Sequence, residues 1–396
     1  MSVVATSTSV AEVIEAVRSL KDELRASSAQ AENDRRATDA CIDALGKAGV
    51  FRLLTPARYG GISGNVRSVL EVISEVAEGD GGTAWVAMIS NGGTWITGLF
   101  SEQAQDEVWG ETPDVRLAVV LTPAMDVKRV EGGYQVSGRW YFGSGSLHAE
   151  WANVALAITD DNGNVVDEAL ALVPASDFTI DDTWYVAGMR SSGSNCIVME
   201  DKFVPDHRIV SVPPQMGGAS VTGDAPDNIT HSMFMPTAAL ILIGAQLGLG
   251  REALRLVREK ASTKAIMYTA YDPAAKSTAV QLALAEAALK IETAHLHAYA
   301  VADAIDQAAV ERRVFTMEER AHARAVTGLV AEYIGDAINT LINVQGAGSF
   351  ADNNPLQRIW RDSNVAARHG VVHAAVGYEL YGQALAGLEP NITPMI

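Results

Sequence analysis

The chain has 396 residues, 48% of them hydrophobic and 20% charged, and 30 basic against 48 acidic side chains leave a net charge of −18. A mean hydropathy of +0.09 excludes both a disordered polymer and a polytopic membrane protein, and the acidic balance argues against nucleic-acid binding or docking on an anionic membrane. Cys41 and Cys196 stand singly, without metal-ligand spacing, which fits a reducing cytoplasm.

Met1 to Val10 has neither a basic start nor an apolar core, so it does not read as a secretory signal. Val10, Val13, Val17, Leu20 and Leu24 then repeat at three and four, the period of an amphipathic helix. With turns at Pro56 to Gly61 and Gly79 to Gly82, residues 1–114 read as a helical domain. From Val115 the period becomes two. Val127, Val130, Tyr134 and Val136, then Val154, Leu156 and Ile158, alternate around turns at Glu131 to Gly133 and Asp160 to Asn164. Residues 115–212 therefore read as a small antiparallel β domain. A Gly- and Pro-rich loop, Pro213 to Pro226, leads into a helical region over 213–396. Its most apolar window, Met233 to Gly250, carries Pro236, Thr237 and Gln246 and reads as a buried helix rather than a membrane span. Leu247 to Val257, Val280 to Ala294 and Val326 to Val344 carry long apolar stripes, which predicts a bundle. Ala283, Ala287 and Ala294 offer a small-residue face for close helix approach, with a homotetramer, or at least a dimer, as the expected assembly.

The glycine clusters Gly79-Asp80-Gly81-Gly82 and Gly346-Ala347-Gly348 lack dinucleotide-binding spacing. Gly143-Ser144-Gly145-Ser146 is not followed by a helix pattern, so it is not a hydrolase elbow. His295 and His297 point to different faces of one helix, which argues against a metal pair. The densest aromatic and small-polar run is Gly138 to Trp151. Its flat apolar groups, glycines and hydroxyls suit a flavin ring, and a β-bulge between core strands explains them equally well. Gly188 to Asn195 is a second hydroxyl-rich run whose plain reading is a polar turn. Gln357 to Asp362, followed by Arg368 and His369, forms a third cluster on a late helix. Arg358 and Asp362 suit a helix-face ion pair, and a histidine among alanines and valines is more often a core residue.

These clusters, in this order on an α–β–α chain, resemble the acyl-CoA dehydrogenase fold: an N-terminal helical domain, a middle β-barrel and a C-terminal four-helix bundle. The closer resemblance is to the oxygenase components of two-component flavin-dependent monooxygenases built on that fold. It rests on Pro56 to Gly61, Gly82-Thr83-Ala84-Trp85, Gly138 to Trp151, Gly188 to Asn195 and Pro355 to Asp362. Leu121 to Asp126 lacks the acidic and Gly-Ser elements that dehydrogenases carry before the flavin strand. No Glu lies between Phe350 and Tyr378 to serve as their late base, and His369 stands there instead. Glu252 is the position for an earlier-helix base if the chain is an acyl-CoA dehydrogenase with FAD.

The resemblance implies hydroxylation of a small aromatic or polycyclic substrate by reduced flavin (FMN or FAD) and O2, through a flavin C4a-hydroperoxide; N or S oxidation is the variant on the same fold. A separate NAD(P)H-dependent flavin reductase is implied, because the chain has no NAD(P)H fingerprint. The resemblance gives Ser144 a place near flavin N5 and His369 one beside the reactive face. Thr122, Trp140, Phe142 and Ser146 are implied at the flavin, with Arg190, Ser192 and Ser194 on a second flavin-side segment. Gln345, Gly346 and Gly348 would reach the cofactor of a neighbouring subunit. Ser90 to Trp95 lacks a histidine found in phenol-oxidising relatives, leaving Trp85, Met88 and Trp95 as candidate substrate walls or as plain core residues.

Overall fold

The computed structural model describes residues 9–124, 126–160 and 162–396. Most of the Met1 to Val10 segment, Met125 and Asp161, which enter the sequence readings above, lie outside the described residues.

Among the described residues five α-helices come first: α1 (Val10–Asp34), α2 (Asp39–Lys47), α3 (Val66–Ala77), α4 (Gly81–Thr97) and α5 (Glu102–Trp109). Their starts are chemically marked. Ser9 and Glu12 form a capping box on α1, and Thr38, Asn65, Asp80 and Ser101 cap the next four with side-chain oxygens. Helix α4 is buried on nearly every face, so its polar residues are spent internally rather than on solvent.

Eight strands follow: β1 (Leu117–Ala124), β2 (Asp126–Val130), β3 (Gly133–Gly143), β4 (Trp151–Thr159), β5 (Val165–Pro174), β6 (Thr179–Asp181), β7 (Asn195–Pro205) and β8 (Ile209–Ser211). The barrel expected for this region takes the form of two four-stranded sheets, β1-β4-β5-β8 and β2-β3-β7-β6. Val120, Val154 and Val173 of the first sheet and Val136, Trp140 and Ile197 of the second share one core. The expectation of a purely antiparallel domain needs one correction: β1 pairs with β4 in parallel. The intervening β2 and β3 cross into the other sheet, so the chain returns to β1 in the same direction.

The short helix α6 (Val212–Met216) leads to α7 (Phe234–Ile241), α8 (Gly244–Thr263), α9 (Thr278–Val310), α10 (Met317–Gln345), α11 (Pro355–Ala366) and α12 (Ala374–Leu385). The apolar stretch over α7 and α8 is long and apolar enough to cross a membrane, but 89% of that window is buried inside the fold. Helices α3, α4, α8, α9 and α10 contribute to one continuous core that also takes in Leu170 and Leu172 of β5. The β region is thus welded between helices on both sides, and the site described next lies along that seam.

Candidate active site

Asp80 begins the site. As the cap of α4 its Oδ2 accepts from Thr83 N and Thr83 Oγ1, each at 2.8 Å, and from Ser191 Oγ at 2.9 Å. Gly82 lets the 189–194 segment lie directly on α4, since a Cβ there would sit 2.0 Å from Ser191 Oγ. From the other side Asp362, fully buried on α11, accepts the Met189 N–H at 2.5 Å. Burial first, and the nearby Asp80 charge second, push the Asp362 carboxyl up to about 7. Two acids on two helices therefore clamp one short segment of backbone.

Opposite this segment, β3 ends in a bulge. Trp140 pairs with Ile197 and Gly143 with Asn195, which leaves one extra residue on β3. The bulge puts Phe142 at φ 66 and leaves its ring 69% exposed, edge-on to Trp184 at 6.1 Å. A bulky residue in the left-handed region is strained, and the surrounding bulge holds it there with its apolar ring turned outward. Gly145 N then bonds Ser192 O at 3.0 Å, docking the 143–148 loop on the clamped segment. Between the two loops runs a row of hydroxyls. Trp85 Nε1 donates to Ser144 Oγ at 3.1 Å, Ser144 and Ser194 hydroxyls lie 2.7 Å apart, and Ser194 and Ser192 hydroxyls are again 2.7 Å apart. Ser192 Oγ finally donates to Met189 O at 2.7 Å. Ser146 Oγ is buried nearby in sequence without a hydrogen-bond partner, an orphan that a ligand group can satisfy.

Trp85 joins this row to His369, their ring centroids being 6.0 Å apart. His369 is not on a helix, as its neighbours in sequence imply. It lies in the turn after α11, where Val372 N bonds His369 O at 2.8 Å. Burial, then the Arg324 guanidinium, draws its imidazole down to about 4. The residue is also solvent-exposed, so water opposes that shift until a ligand covers it. Arg324 was not legible as a site residue. It is buried on α10, donates Nη2 to Gly370 O at 3.1 Å, and leaves Nε and Nη1 without partners. Only its alanine-rich helix context hints that such a cation must be buried.

The structure thus gathers Ser144, Ser192, Ser194, Phe142, Trp85 and His369, and disperses other candidates. Trp140 faces the β core at 1% exposure and gives its N–H to Ala155 O at 2.8 Å; alternation alone would put Phe142 on the same face, and the bulge between them turns Phe142 outward instead. Met88 is 0% and Trp95 2% exposed; Trp95 donates to Ile229 O at 3.2 Å and packs on Phe234, so both are core residues rather than cleft walls. Arg190 is turned to the backbone, donating to Glu32 O at 3.2 Å and Val186 O at 2.9 Å. Thr122 is exposed on β1, with no side-chain bond to the serine row. Gln345, Gly346 and Gly348 sit at the opposite end of α10, roughly 30 Å along the helix from Arg324 at 1.5 Å per residue. Within one chain they do not reach Ser144. Glu252 is held by Arg25 at 3.1 Å and by Arg255 at 2.6 Å, and it lines a different cavity of about 260 Å³ with Arg358 and Asp362. Its oxygens are committed to cations, which suits an ion-pair hub and not a free base.

The outward ring of Phe142, with the Ser144 hydroxyl two residues on and the Gly145 backbone docked beside it, suits contact with a flat, partly apolar heteroaromatic group. Residues 9–111 match the family model for the acyl-CoA dehydrogenase N-terminal domain, and residues 240–374 that for the C-terminal domain. The FADH(2)-dependent resorcinol hydroxylase, oxygenase component, of Rhizobium sp. (strain MTP-10005) is 30% identical over 95% of this chain and 94% of its own length. The flavin-dependent monooxygenase, oxygenase subunit HsaA, of Rhodococcus jostii (strain RHA1) is 31% identical over 92% and 96%. Among solved structures, XiaF from Streptomyces sp. in complex with FADH2 and glycerol is 35% identical, with a TM-score of 0.93 over 97% of each chain.

Proposed function

The chain belongs to the oxygenase components of two-component flavin-dependent monooxygenases, on the acyl-CoA dehydrogenase fold, and from that premise we propose that it hydroxylates a small aromatic or polycyclic substrate at the Ser144–Trp85–His369 cleft. It is a flavin-dependent monooxygenase, and reduced flavin and O2 are its co-substrates. The observation that carries the site is the joining of Ser144 and His369 through one tryptophan, next to the exposed ring of Phe142. Bound reduced flavin, with O2, supplies the oxygen atom placed on the substrate while the second oxygen leaves as water.

The chain's own residues have three tasks in this reading. Phe142, with Trp184 edge-on behind it, covers one face of the flavin ring and keeps water off it. Ser144 holds the hydrogen at flavin N5. His369, with its imidazole held neutral at working pH, takes or holds a substrate hydroxyl proton. FAD is our choice over FMN, supported by the FADH2 in the names of the resorcinol hydroxylase and the XiaF complex. The oxygenase-component names of the relatives support a separate NAD(P)H-dependent reductase as partner. A homotetramer is supported by the exposed Leu282, Leu289 and Leu296, spaced two turns apart on α9, and by the remoteness of Gly346 and Gly348 from their own chain's cleft. Of the small-residue face expected to mediate assembly, Ala287 and Ala294 are spent inside the bundle, and Ala283 is half-buried. A cytoplasmic location is supported by two buried, unpaired cysteines.

The test supplies the chain with a generic flavin reductase, NADH, FAD and O2, and offers phenols, fused polycyclic phenols, thioethers and amines. Hydroxylated product from the aromatic members is expected. Oxidation of only the thioethers or amines would move the function to heteroatom chemistry.

A further inference from the structure

The serine row has a direction. An indole N–H only donates and a backbone carbonyl only accepts, and these two groups stand at its ends, Trp85 Nε1 and Met189 O. Each serine has one hydrogen. Ser192 spends its hydrogen on Met189 O at 2.7 Å, so the 2.7 Å contact between Ser192 and Ser194 must be donated by Ser194. With that hydrogen used, the 2.7 Å contact between Ser194 and Ser144 is donated by Ser144, for which the other acceptor in reach, Phe142 O, lies at a long 3.5 Å. Ser144 is then left without a hydrogen, and with one lone pair beyond the one that Trp85 fills. The row is buried and its terminal carbonyl is fixed, because the Met189 N–H is held by Asp362 and the same carbonyl also accepts from Trp184 Nε1 at 2.9 Å.

We propose that Ser192 and Ser194 are positioning residues that make Ser144 a hydrogen-bond acceptor toward flavin N5, so that the site selects reduced over oxidised flavin. The inference rests on the placement of Ser144 beside N5 in the function proposed above. Reduced flavin carries a hydrogen on N5, which the free lone pair accepts. Oxidised flavin presents a lone pair there, and two lone pairs facing each other repel. For Ser144 to turn its hydrogen outward, a buried serine contact must be given up, so the wrong redox state meets a penalty built into protein groups it never touches.

The test measures dissociation constants for reduced flavin, titrated anaerobically, and for oxidised flavin, in the wild type, Ser194→Ala, Ser192→Ala and Ser194→Thr. The wild type should bind the reduced form more tightly. Either alanine variant frees the Ser144 hydrogen and should shrink the ratio of the two constants by about 10- to 100-fold. The potential of the bound flavin should then fall by about 30 mV per tenfold change. Ser194→Thr keeps a hydroxyl and should restore the ratio. If the wild type discriminates and both alanine variants discriminate equally well, the inference is overturned while the proposed function stands. A wild type that binds neither redox state and hydroxylates nothing overturns that function, and the inference with it.

Discussion

At His369 two effects act in one direction: desolvation and the Arg324 guanidinium both disfavour the imidazolium, drawing its pKa down to about 4. A covered His369 is therefore neutral from pH 6 to 8 and is lost as a base only when pH falls toward that value. Coupled hydroxylation should be insensitive to His369 protonation across the neutral range and fall on acidification. His369→Ala should keep flavin binding, lose roughly 10²–10⁴ in coupled hydroxylation rate, and release H2O2 instead. Product and peroxide assays on the same variant check this; an unchanged product rate per folded enzyme with lowered thermal stability would make His369 structural. The resemblance marks the positions of His369 and Ser144, and the fold brings both of them against Trp85. Trp140 misled for a local reason, since residue type suits a flavin contact but strand alternation, read correctly, sends every second side chain to the core. The bulge that separates Trp140 from Phe142 shifts that alternation by one residue, and no composition rule reveals it.

Among elements, the 189–194 segment matters most because α4 and α11 both hold it. Asp362 keeps a proton in the folded state that the unfolded chain has already released between about pH 4 and 7, so its burial costs more stability as pH rises through that window. Asp362→Asn retains an acceptor for Met189 N–H and removes the charge. Its unfolding free energy, read from denaturation midpoints, should gain on that of the wild type steadily from pH 4.5 to about 7 and then level off, with a ceiling of about 4 kcal/mol. Parallel profiles for the two proteins would show that Asp362 is ionised in the fold. This clamp was hidden in the sequence. Arg358 and Asp362 suggest an i,i+4 ion pair, whereas Asp362 turns inward to Met189 and Arg358 reaches Ser28 Oγ at 2.6 Å. Helix existence was easy to read from period and caps; which face of α11 packs inward depends on partners more than a hundred residues away.

For the whole molecule, helical, strand and helical regions follow in the order the periodicities predict, and the exposed leucines of α9 then ask for a cover. Leu282, Leu289 and Leu296 form an apolar line on a helix whose alanines already pack inside the bundle. If the proposed homotetramer forms through this line, Leu289→Glu with Leu296→Glu should convert it to smaller species in sedimentation and, because Gly346 is remote from its own chain's Ser144, weaken flavin binding with it. An unaltered sedimentation coefficient would show that this face is solvated. Whether the Ser144–Trp85–His369 site delivers oxygen from O2 to an aromatic carbon, using reduced flavin made elsewhere, can be read by isotope. The chain, loaded with one equivalent of chemically reduced FAD and a phenolic substrate that it turns over, is mixed with ¹⁸O2 in the absence of any reductase. A hydroxylated product carrying one ¹⁸O atom is expected within that single turnover; unlabelled product, or quantitative H2O2 with the substrate untouched, would overturn the assignment.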